Sequence, residues 1–306
     1  MAQPVPVEHA RDRDSLMLVE SQAALAAQGG VEPFHLDAPD GRLYAAYHRP
    51  AASIAPRGNV LWVAPFNEEM NRCRSMVTLQ AQALCALGIG TLVVDLHGTG
   101  DSEGEYVDAR WDIWQNDIRA GIAWLDGQPG GCRALWGIRL GCILAAEALH
   151  NGAAPGAALI VWQPIADGMQ YLTQFLRMRI AAQMDQAHLP KETTAMMRQQ
   201  FAAGRSVEVS GYEINPQLAM AIDAARLAAV PPPAQTRVLW LEQATSGSST
   251  VAPASQKVID VWRSAGVDPD ARVFEGLAFW QLHERTVAPV AISETISWAR
   301  ENWATA

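Results

Sequence analysis

The stretch that decides the fold is Ala134-Leu135-Trp136-Gly137-Ile138-Arg139-Leu140-Gly141-Cys142-Ile143-Leu144-Ala145-Ala146. Its apolar beginning predicts a short buried strand, and its alanine-rich end predicts a helix. Gly137 and Gly141 frame the turn and allow the strand and the helix to pack closely. The segment therefore predicts a strand, a tight turn with Arg139 at its centre, and a helix.

Further apolar runs predict the rest of a sheet. Residues 34–36 and 43–47 flank the turn sequence Pro-Asp-Gly at 39–41 and predict a β-hairpin. Helical segments are expected at 74–87 and 111–125. Strands that alternate with helices predict a mainly parallel sheet with helices on both faces, an α/β fold. Five more buried strands are expected at 59–64, 91–95, 157–162, 237–242 and 271–275.

The chain divides into three parts. Residues 1–30 mix charges and alanines and are expected to form an N-terminal arm with a short helix at 15–27. Residues 31–167 and 231–306 carry the alternation and form the predicted core. Residues 168–230 interrupt it and are expected to form an inserted helical lid. Within this insertion we expect helices at 171–184, 192–203 and 218–229 and a strand at 207–213.

The composition argues against several classes of function. The 306 residues carry a net charge of −9 at pH 7, which argues against nucleic-acid binding over a broad surface. No window reaches the roughly 18–20 apolar residues that span a bilayer, and the first residues do not resemble a signal peptide. We therefore expect a cytoplasmic protein; no oligomeric state is indicated. The cysteines at 73, 85, 132 and 142 lack metal-ligand spacing and are expected to be reduced.

The turn between Gly137 and Gly141 resembles the nucleophile elbow of the α/β-hydrolase superfamily, Gly-x-Ser-x-Gly, in which a serine stands on a strained turn between strand and helix. The loop at 95–104, Asp-x-x-Gly-x-Gly-x-Ser-x-Gly, is similar to the superfamily's loop after the preceding strand. The resemblance covers residues 32–303. It implies the α/β-hydrolase fold, with a mostly parallel sheet, helices on both faces and an inserted lid.

Six short motifs are spread over most of the chain: Ala-Pro-Phe-Asn-Glu-Glu-Met-Asn at 64–71, Ala-Arg-Trp at 109–111, Trp-Gly-Ile-Arg-Leu-Gly at 136–141, Trp-Gln-Pro at 162–164, Gly-Tyr-Glu at 211–213 and Phe-Trp-Gln at 279–281. Together they resemble the type 2 hydrolase associated with exosortase A systems in exopolysaccharide-producing bacteria. This narrower resemblance implies a link to exopolysaccharide metabolism but does not identify the substrate. A carbohydrate-related substrate and a small anionic ligand are both candidate partners.

A serine hydrolase needs a nucleophile, a histidine base and an acid that orients the histidine. Arg139 stands at the elbow, and its protonated guanidinium cannot attack a carbonyl. The base motif Gly-x-x-His aligns with 276–279 and places Phe279 at the base position. The acid position falls at 245–250, which holds only small and hydroxyl residues. The catalytic residues are therefore not identified, and standard acyl-enzyme chemistry is not expected.

Relocated catalytic groups are the alternative. An active ester or acyl hydrolase built around Ser102, His283 or Glu69 stays open, because Ser102 lies in the neighbouring loop and His283 follows Phe279 by four residues. The simpler interpretation makes Ser102 a turn residue bonded to its own backbone, and Cys142 a core thiol. No metal or other cofactor is expected, since the 95–104 loop matches no strong ligand spacing and no dinucleotide pattern.

Arg139 is expected to face Glu68 and Glu69, in the loop after the third strand, across the crevice at the carboxyl ends of the strands. One interpretation is an internal ion pair that plugs a retired active site, since a buried guanidinium without a partner is costly. The other is a pocket in which Arg139 grips a small anionic ligand. The protein would then have an anion-binding or accessory role. A purely structural role in a multi-protein assembly, suggested by the lid, is a separate hypothesis. Candidate pocket residues are Phe66, Asn67, Glu68, Glu69, His97, Arg139, Phe279 and Trp280.

Overall fold

The structure, a computed structural model, describes residues 29–183, 192–244 and 249–303. The helix expected at 15–27 lies outside these residues. The strands are β1 (Val31–Ala38), β2 (Gly41–His48), β3 (Gly58–Val63), β4 (Ile89–Val94), β5 (Cys132–Ile138), β6 (Ala158–Trp162), β7 (Val207–Val209), β8 (Tyr212–Ile214), β9 (Val238–Gln243) and β10 (Asp270–Phe274). The helices are α1 (Glu68–Cys85), α2 (Trp111–Asp126), α3 (Gly141–His150), α4 (Gly168–Gln183), α5 (Thr194–Ala202), α6 (Pro216–Ala224), α7 (Pro253–Ser264) and α8 (Pro289–Asn302).

Eight strands form one twisted sheet in the order β1-β2-β4-β3-β5-β6-β9-β10. The β1–β2 hairpin is antiparallel, and β2 is antiparallel to β4. From β4 to β10 all neighbours are parallel. The predicted hairpin and mainly parallel sheet are therefore confirmed. Because the parallel strands share a direction, the loops after β3, β4 and β5 meet at one edge of the sheet.

Successive side chains of a strand point to opposite faces, and each face carries its own apolar layer. On one face, Trp136 packs edge-on against Trp162 at 4.7 Å between ring centroids, in the layer that includes α1 and α8. On the other face, Leu135 and Trp240 pack in the layer that includes α2, α3 and α7. With helices on both faces, as predicted, the elbow between β5 and α3 is held from two sides.

Three predicted elements differ from the structure. Helix α1 begins at Glu68, six residues before the predicted start at residue 74, since two glutamates in its first turn favour a helix N-terminus. The strand predicted at 207–213 is a hairpin, because Ser210 and Gly211 take positive φ angles of 52° and 85°, as a tight two-residue turn requires. The helix predicted at 218–229 ends at Ala224, where the backbone of Ala225 becomes extended.

The segment between β6 and β9 holds helices α4 to α6 and the β7–β8 hairpin. Its contacts with the core include α6 on α2, and β8 on the short 3₁₀ turn Tyr106–Asp108. A hydrogen bond of 2.7 Å from Asn215 Nδ2 to the carbonyl oxygen of Val107 ties them together. That residues 168–230 move as a lid stays a prediction.

Candidate active-site elbow

The elbow has the predicted strand–turn–helix geometry. Arg139 lies between β5 and α3 with a φ of +56°, a left-handed conformation that non-glycine residues rarely adopt. Both framing glycines are required by close approach. A Cβ at Gly137 would lie 2.6 Å from the backbone of Cys142, and one at Gly141 would lie 2.3 Å from the carbonyl oxygen of Val63. The turn therefore presents the side chain of Arg139 above the carboxyl edge of the sheet.

Arg139 pairs with Glu69. Its Nε donates a hydrogen bond of 3.1 Å to Glu69 Oε1, with only 12% and 16% of the two side chains exposed. Tyr171 of α4 donates to the other carboxylate oxygen at 2.9 Å. The expected pairing of Arg139 with Glu68 or Glu69 is thus confirmed. The expectation that these glutamates lie in a loop is wrong, because they are the first two residues of α1.

Two aromatic rings flank the guanidinium. Its central carbon lies 5.6 Å from the ring centroid of Trp280 and 5.7 Å from that of Tyr171. Both distances suit a cation–π contact. Arg139 therefore has a carboxylate and two ring faces as neighbours, which together stabilise the buried charge.

Burial governs the protonation of this cluster. Burial raises the pKa of Glu69, while the nearby Arg139 and the Tyr171 hydrogen bond act in the opposite direction. Burial, with the charge of Glu69, holds the pKa of Tyr171 well above its usual range, so this hydroxyl stays a neutral donor. The elbow is thus filled by one salt bridge and neutral aromatic groups.

Phe279, at the predicted base position, is part of the core. Its ring packs edge-on against Trp162 at 6.1 Å and against Trp280 at 5.0 Å between centroids. Only 1% of the residue is exposed. Trp280, rather than Phe279, faces Arg139.

The groups proposed for relocated catalysis are engaged elsewhere. Ser102 Oγ donates to the carbonyl oxygen of Asp95 at 2.5 Å and accepts from the amide of Tyr44 at 2.8 Å. His283 is exposed, and its Nε2 lies 3.4 Å from the guanidinium of Arg72. Burial raises the pKa of the Cys142 thiol, which contacts the carbonyl oxygen of Trp162. The interpretation of Ser102 as a turn residue and of Cys142 as a core thiol is confirmed.

Three other predicted pocket residues have contacts of their own. Phe66 is buried among aromatic rings, including those of Tyr171 and Phe175 at 6.1 and 5.2 Å. His97 is buried behind the loop, where its backbone amide donates to Asp117. Glu68 accepts a hydrogen bond of 2.9 Å from the hydroxyl of Tyr212. Among the described residues, no group of three His, Cys, Asp or Glu side chains could hold a metal ion.

The predicted acid position lies partly outside the described residues, since 245–248 are among those not described. Glu242, the last acidic residue of β9 before this loop, is buried. It accepts hydrogen bonds from the Trp240 indole at 2.7 Å and from the Ala252 amide at 2.9 Å. This carboxylate therefore orients backbone and core groups.

Three tyrosines complete the site, and sequence reasoning missed their roles. Tyr171 binds Glu69, Tyr212 binds Glu68, and the Tyr106 hydroxyl donates to Oδ1 of Asn67. Tyr212 lies in the Gly-Tyr-Glu motif at 211–213, which was a usable signal. Tyr106 and Tyr171 carried none, since each meets its partner only in the folded chain.

Solved structures define the class of fold. Est1E from Butyrivibrio proteoclasticus, solved with ferulic acid bound, aligns with a TM-score of 0.60 at 14% identity, over 87% of this chain and 98% of its own. The esterase domain of a Rhodothermus marinus protein aligns with a TM-score of 0.57 at 15% identity, over 90% and 100%. XC6422 from Xanthomonas campestris, described as an α/β serine hydrolase without a lid, gives 0.54 at 18%, over 90% and 96%.

With the strand order and the elbow, these similarities show that the chain has the α/β-hydrolase fold. At such identities the likeness defines the fold alone. A scan against protein-family models and a search of curated proteins both find no match. In the described part of the chain, no helix combines the length and the apolar character that crossing a membrane requires.

Proposed function

We propose that this protein performs no acyl-enzyme chemistry, that its serine triad is degenerate, and that it has a binding or accessory role linked to exopolysaccharide metabolism. The observation that carries the proposal is the hydrogen bond of 3.1 Å from Arg139 to Glu69 at the elbow. A cation occupies the position from which a nucleophile would attack, and a carboxylate holds it there. An anionic ligand that approached Arg139 would meet the negative charge of Glu69 beside the guanidinium, and this like charge opposes its binding.

The contacts of the alternative groups support this reading over an active hydrolase. A serine is activated when a neighbouring base accepts its proton. The hydroxyl of Ser102 instead donates to a backbone carbonyl. His283 has a guanidinium beside its Nε2, and Glu69 is bound to Arg139 and Tyr171. These three groups make no contacts with one another of the kind a relay requires.

The link to exosortase A-associated systems is supported by four of the motifs that carry the resemblance, because they meet in one place. Glu69 from 64–71 binds Arg139 from 136–141. Trp280 from 279–281 lies over the same guanidinium. Tyr212 from 211–213 binds Glu68. Residues that are far apart in the chain thus build one cluster, which supports a shared functional role for these motifs.

A screen of p-nitrophenyl esters from acetate to decanoate tests the proposal. We expect no saturable turnover above the rate of the buffer. Saturable turnover that is lost in Ser102→Ala or Glu69→Gln would instead establish a relocated hydrolase. Affinity capture from the native host tests the accessory role, and we expect proteins of the exopolysaccharide system in the captured material.

A further inference from the structure

A cavity of about 250 Å³ lies beside the elbow. It is bounded by the loops after β3 and β4, by the start of α1, and by the β7–β8 turn. Asn67, Met70, Tyr106, Trp114 and Tyr212 form much of its wall. Among the described residues, the lining includes neither Arg139 nor Glu69. The cavity is therefore distinct from the ion pair that fills the elbow.

The wall of the cavity is uncharged. Its lining residues are apolar, aromatic, amide, hydroxyl or glycine residues. Burial raises the pKa of Tyr212 to about 12 and holds the pKa of Tyr106 well above its usual range, so both phenols are neutral at ordinary pH. At the rim, the carboxylate of Glu68 accepts a hydrogen bond from the Tyr212 hydroxyl. A negative charge at this rim disfavours an anionic ligand.

Aromatic rings form much of the cavity wall. The rings of Tyr106 and Tyr212 meet at 5.0 Å between centroids with an interplanar angle of 65°. The indole of Trp114 is buried, and its Nε1 donates to the carbonyl oxygen of His97 at 3.1 Å. Such walls favour a planar apolar guest. The volume is slightly below the range of about 300–1,000 Å³ for drug-sized ligands, which fits a small molecule.

Asn67 supplies the unpaired polar group. Only 7% of the residue is exposed, and within the described part of the chain its Nδ2 has no hydrogen-bond partner. Its Oδ1 accepts from Tyr106, and its backbone has a φ of +54°. A strained backbone and an unsatisfied buried donor are each unfavourable, and both are typical of functional sites. Asn67 lines the cavity, and a rotation of its amide that turns the buried Nδ2 toward a ligand's acceptor atom would satisfy the donor.

The other polar side chains of the wall already donate. Tyr212 and Asn71 donate to Glu68 at 2.9 and 3.4 Å. Thr99 donates to the carbonyl oxygen of Leu96 at 2.7 Å. A ligand that complements the cavity therefore has one hydrogen-bond acceptor and a flat apolar body.

We propose that this cavity binds a small, uncharged aromatic molecule that carries a carbonyl or similar acceptor, with Asn67 Nδ2 as the donor and the rings of Tyr106, Trp114 and Tyr212 as the walls. The inference rests on the proposed binding role and names its class of ligand. It does not depend on the absence of acyl-enzyme chemistry, which the ester screen tests separately.

Three probes of matched shape test the proposal on the full chain by saturation-transfer NMR and by thermal melting. Acetophenone is neutral with a carbonyl, benzoate is anionic, and isopropylbenzene lacks the acceptor. We expect acetophenone to bind at concentrations up to about 10 mM and the other two at least about tenfold more weakly. No binding of acetophenone, or equal binding of benzoate, would overturn the proposal.

A variant tests the assigned donor. Asn67→Gly removes the amide, including the acceptor of the Tyr106 hydroxyl, and glycine accommodates the positive φ without strain. A melting temperature within a few degrees of the parent's checks that the variant is folded. We expect this variant to bind acetophenone at least about fivefold more weakly. The control Asn151→Gly, at the exposed end of α3, should bind like the parent. Unchanged affinity in Asn67→Gly would refute the assignment of Asn67.

Discussion

Arg139 and Glu69 stand 70 positions apart in the sequence, and a hydrogen bond of 3.1 Å joins them above the carboxyl edge of the sheet. The elbow after β5 presents the arginine, and the first turn of α1 presents the glutamate. Tyr171, from the inserted segment, completes the carboxylate's hydrogen bonds. Three residues from distant segments therefore fill the elbow, the position where this fold usually carries its nucleophile.

Removing Arg139 should destabilise the fold. Arg139→Ala leaves the carboxylate of Glu69 buried without its partner, a loss of about 3–5 kcal/mol in the free energy of unfolding. Arginine and alanine both carry a Cβ, so the substitution leaves the strain of the left-handed backbone at position 139 unchanged. Adding Glu69→Gln should recover part of the loss, because no charge is then stranded. Urea unfolding of the parent, both single variants and the double variant measures this.

The control is an exposed ion pair. Arg49 Nε lies 2.6 Å from Glu32 Oε1, and both side chains are about half exposed. Arg49→Ala should lower the free energy of unfolding by less than about 1 kcal/mol. If Arg139→Ala were as mild as Arg49→Ala, Arg139 would not be an internal partner, and a ligand clamp would be the better explanation.

Arg139→Ser should not create an esterase. The new hydroxyl would lack a base, since Phe279, at the predicted base position, is a core residue and His283 is exposed beside Arg72. A serine without a base stays protonated and attacks poorly. Hydrolysis of p-nitrophenyl acetate by the variant should equal that of the parent. Turnover confined to Arg139→Ser, and lost again in Arg139→Ser/His283→Ala, would reveal a base that the structure does not suggest.

Asp117 should make stability depend on pH. Burial, with a smaller effect of Asp40, raises its pKa from 3.8 to about 7. As the pH rises between these values, the unfolded chain loses the proton while the folded chain retains it. Stability should therefore fall by up to about 1.4 kcal/mol per pH unit. Asp117→Asn should remove this part of the fall. Urea unfolding of the parent and of Asp117→Asn over a range of pH measures this. If the free energy of unfolding of both proteins changed with pH in the same way, the assignment to Asp117 would be contradicted.

The inserted segment should be cleaved before the sheet. Gly204 and Arg205 are exposed in the turn after α5, where Gly204 takes a φ of +73°. The second expected site, 189–191, lies outside the described residues. Limited trypsin digestion with mass spectrometry should find the first cut beyond residue 30 at one of these places. Arg205→Gln should delay that cut, whereas first cleavage within α3 would argue against a lid at 168–230.

Much of the fold could be predicted because its signals are local. Apolar runs indicated the buried strands, and two glycines at fixed spacing indicated the elbow. The pairing of Arg139 with a glutamate of 68–69 followed from topology, since parallel strands bring their carboxyl ends to one edge.

The start of α1 and the tyrosine contacts could not be predicted in the same way. Asn67 is a residue type that often caps helices, and two glutamates follow it, but a cap residue alone does not exclude a loop that runs on to residue 74. In the structure the side chain of Asn67 makes no cap bond. Tyr106 and Tyr171 obtain their roles from residues 39 and 102 positions away. The Tyr171 contact depends on how the inserted segment packs on the core, and the Tyr106 contact depends on how the loops after β3 and β4 meet. No local pattern records either arrangement.

The most direct test of the central claim is intact-mass analysis after incubation with a fluorophosphonate probe, beside a known serine esterase as the positive control. The probe forms a covalent adduct with a serine that a base activates. With Arg139 at the elbow and Ser102 bonded to backbone, this protein should keep its unmodified mass while the control gains one adduct. A stoichiometric adduct on any serine of this chain would contradict the degenerate triad.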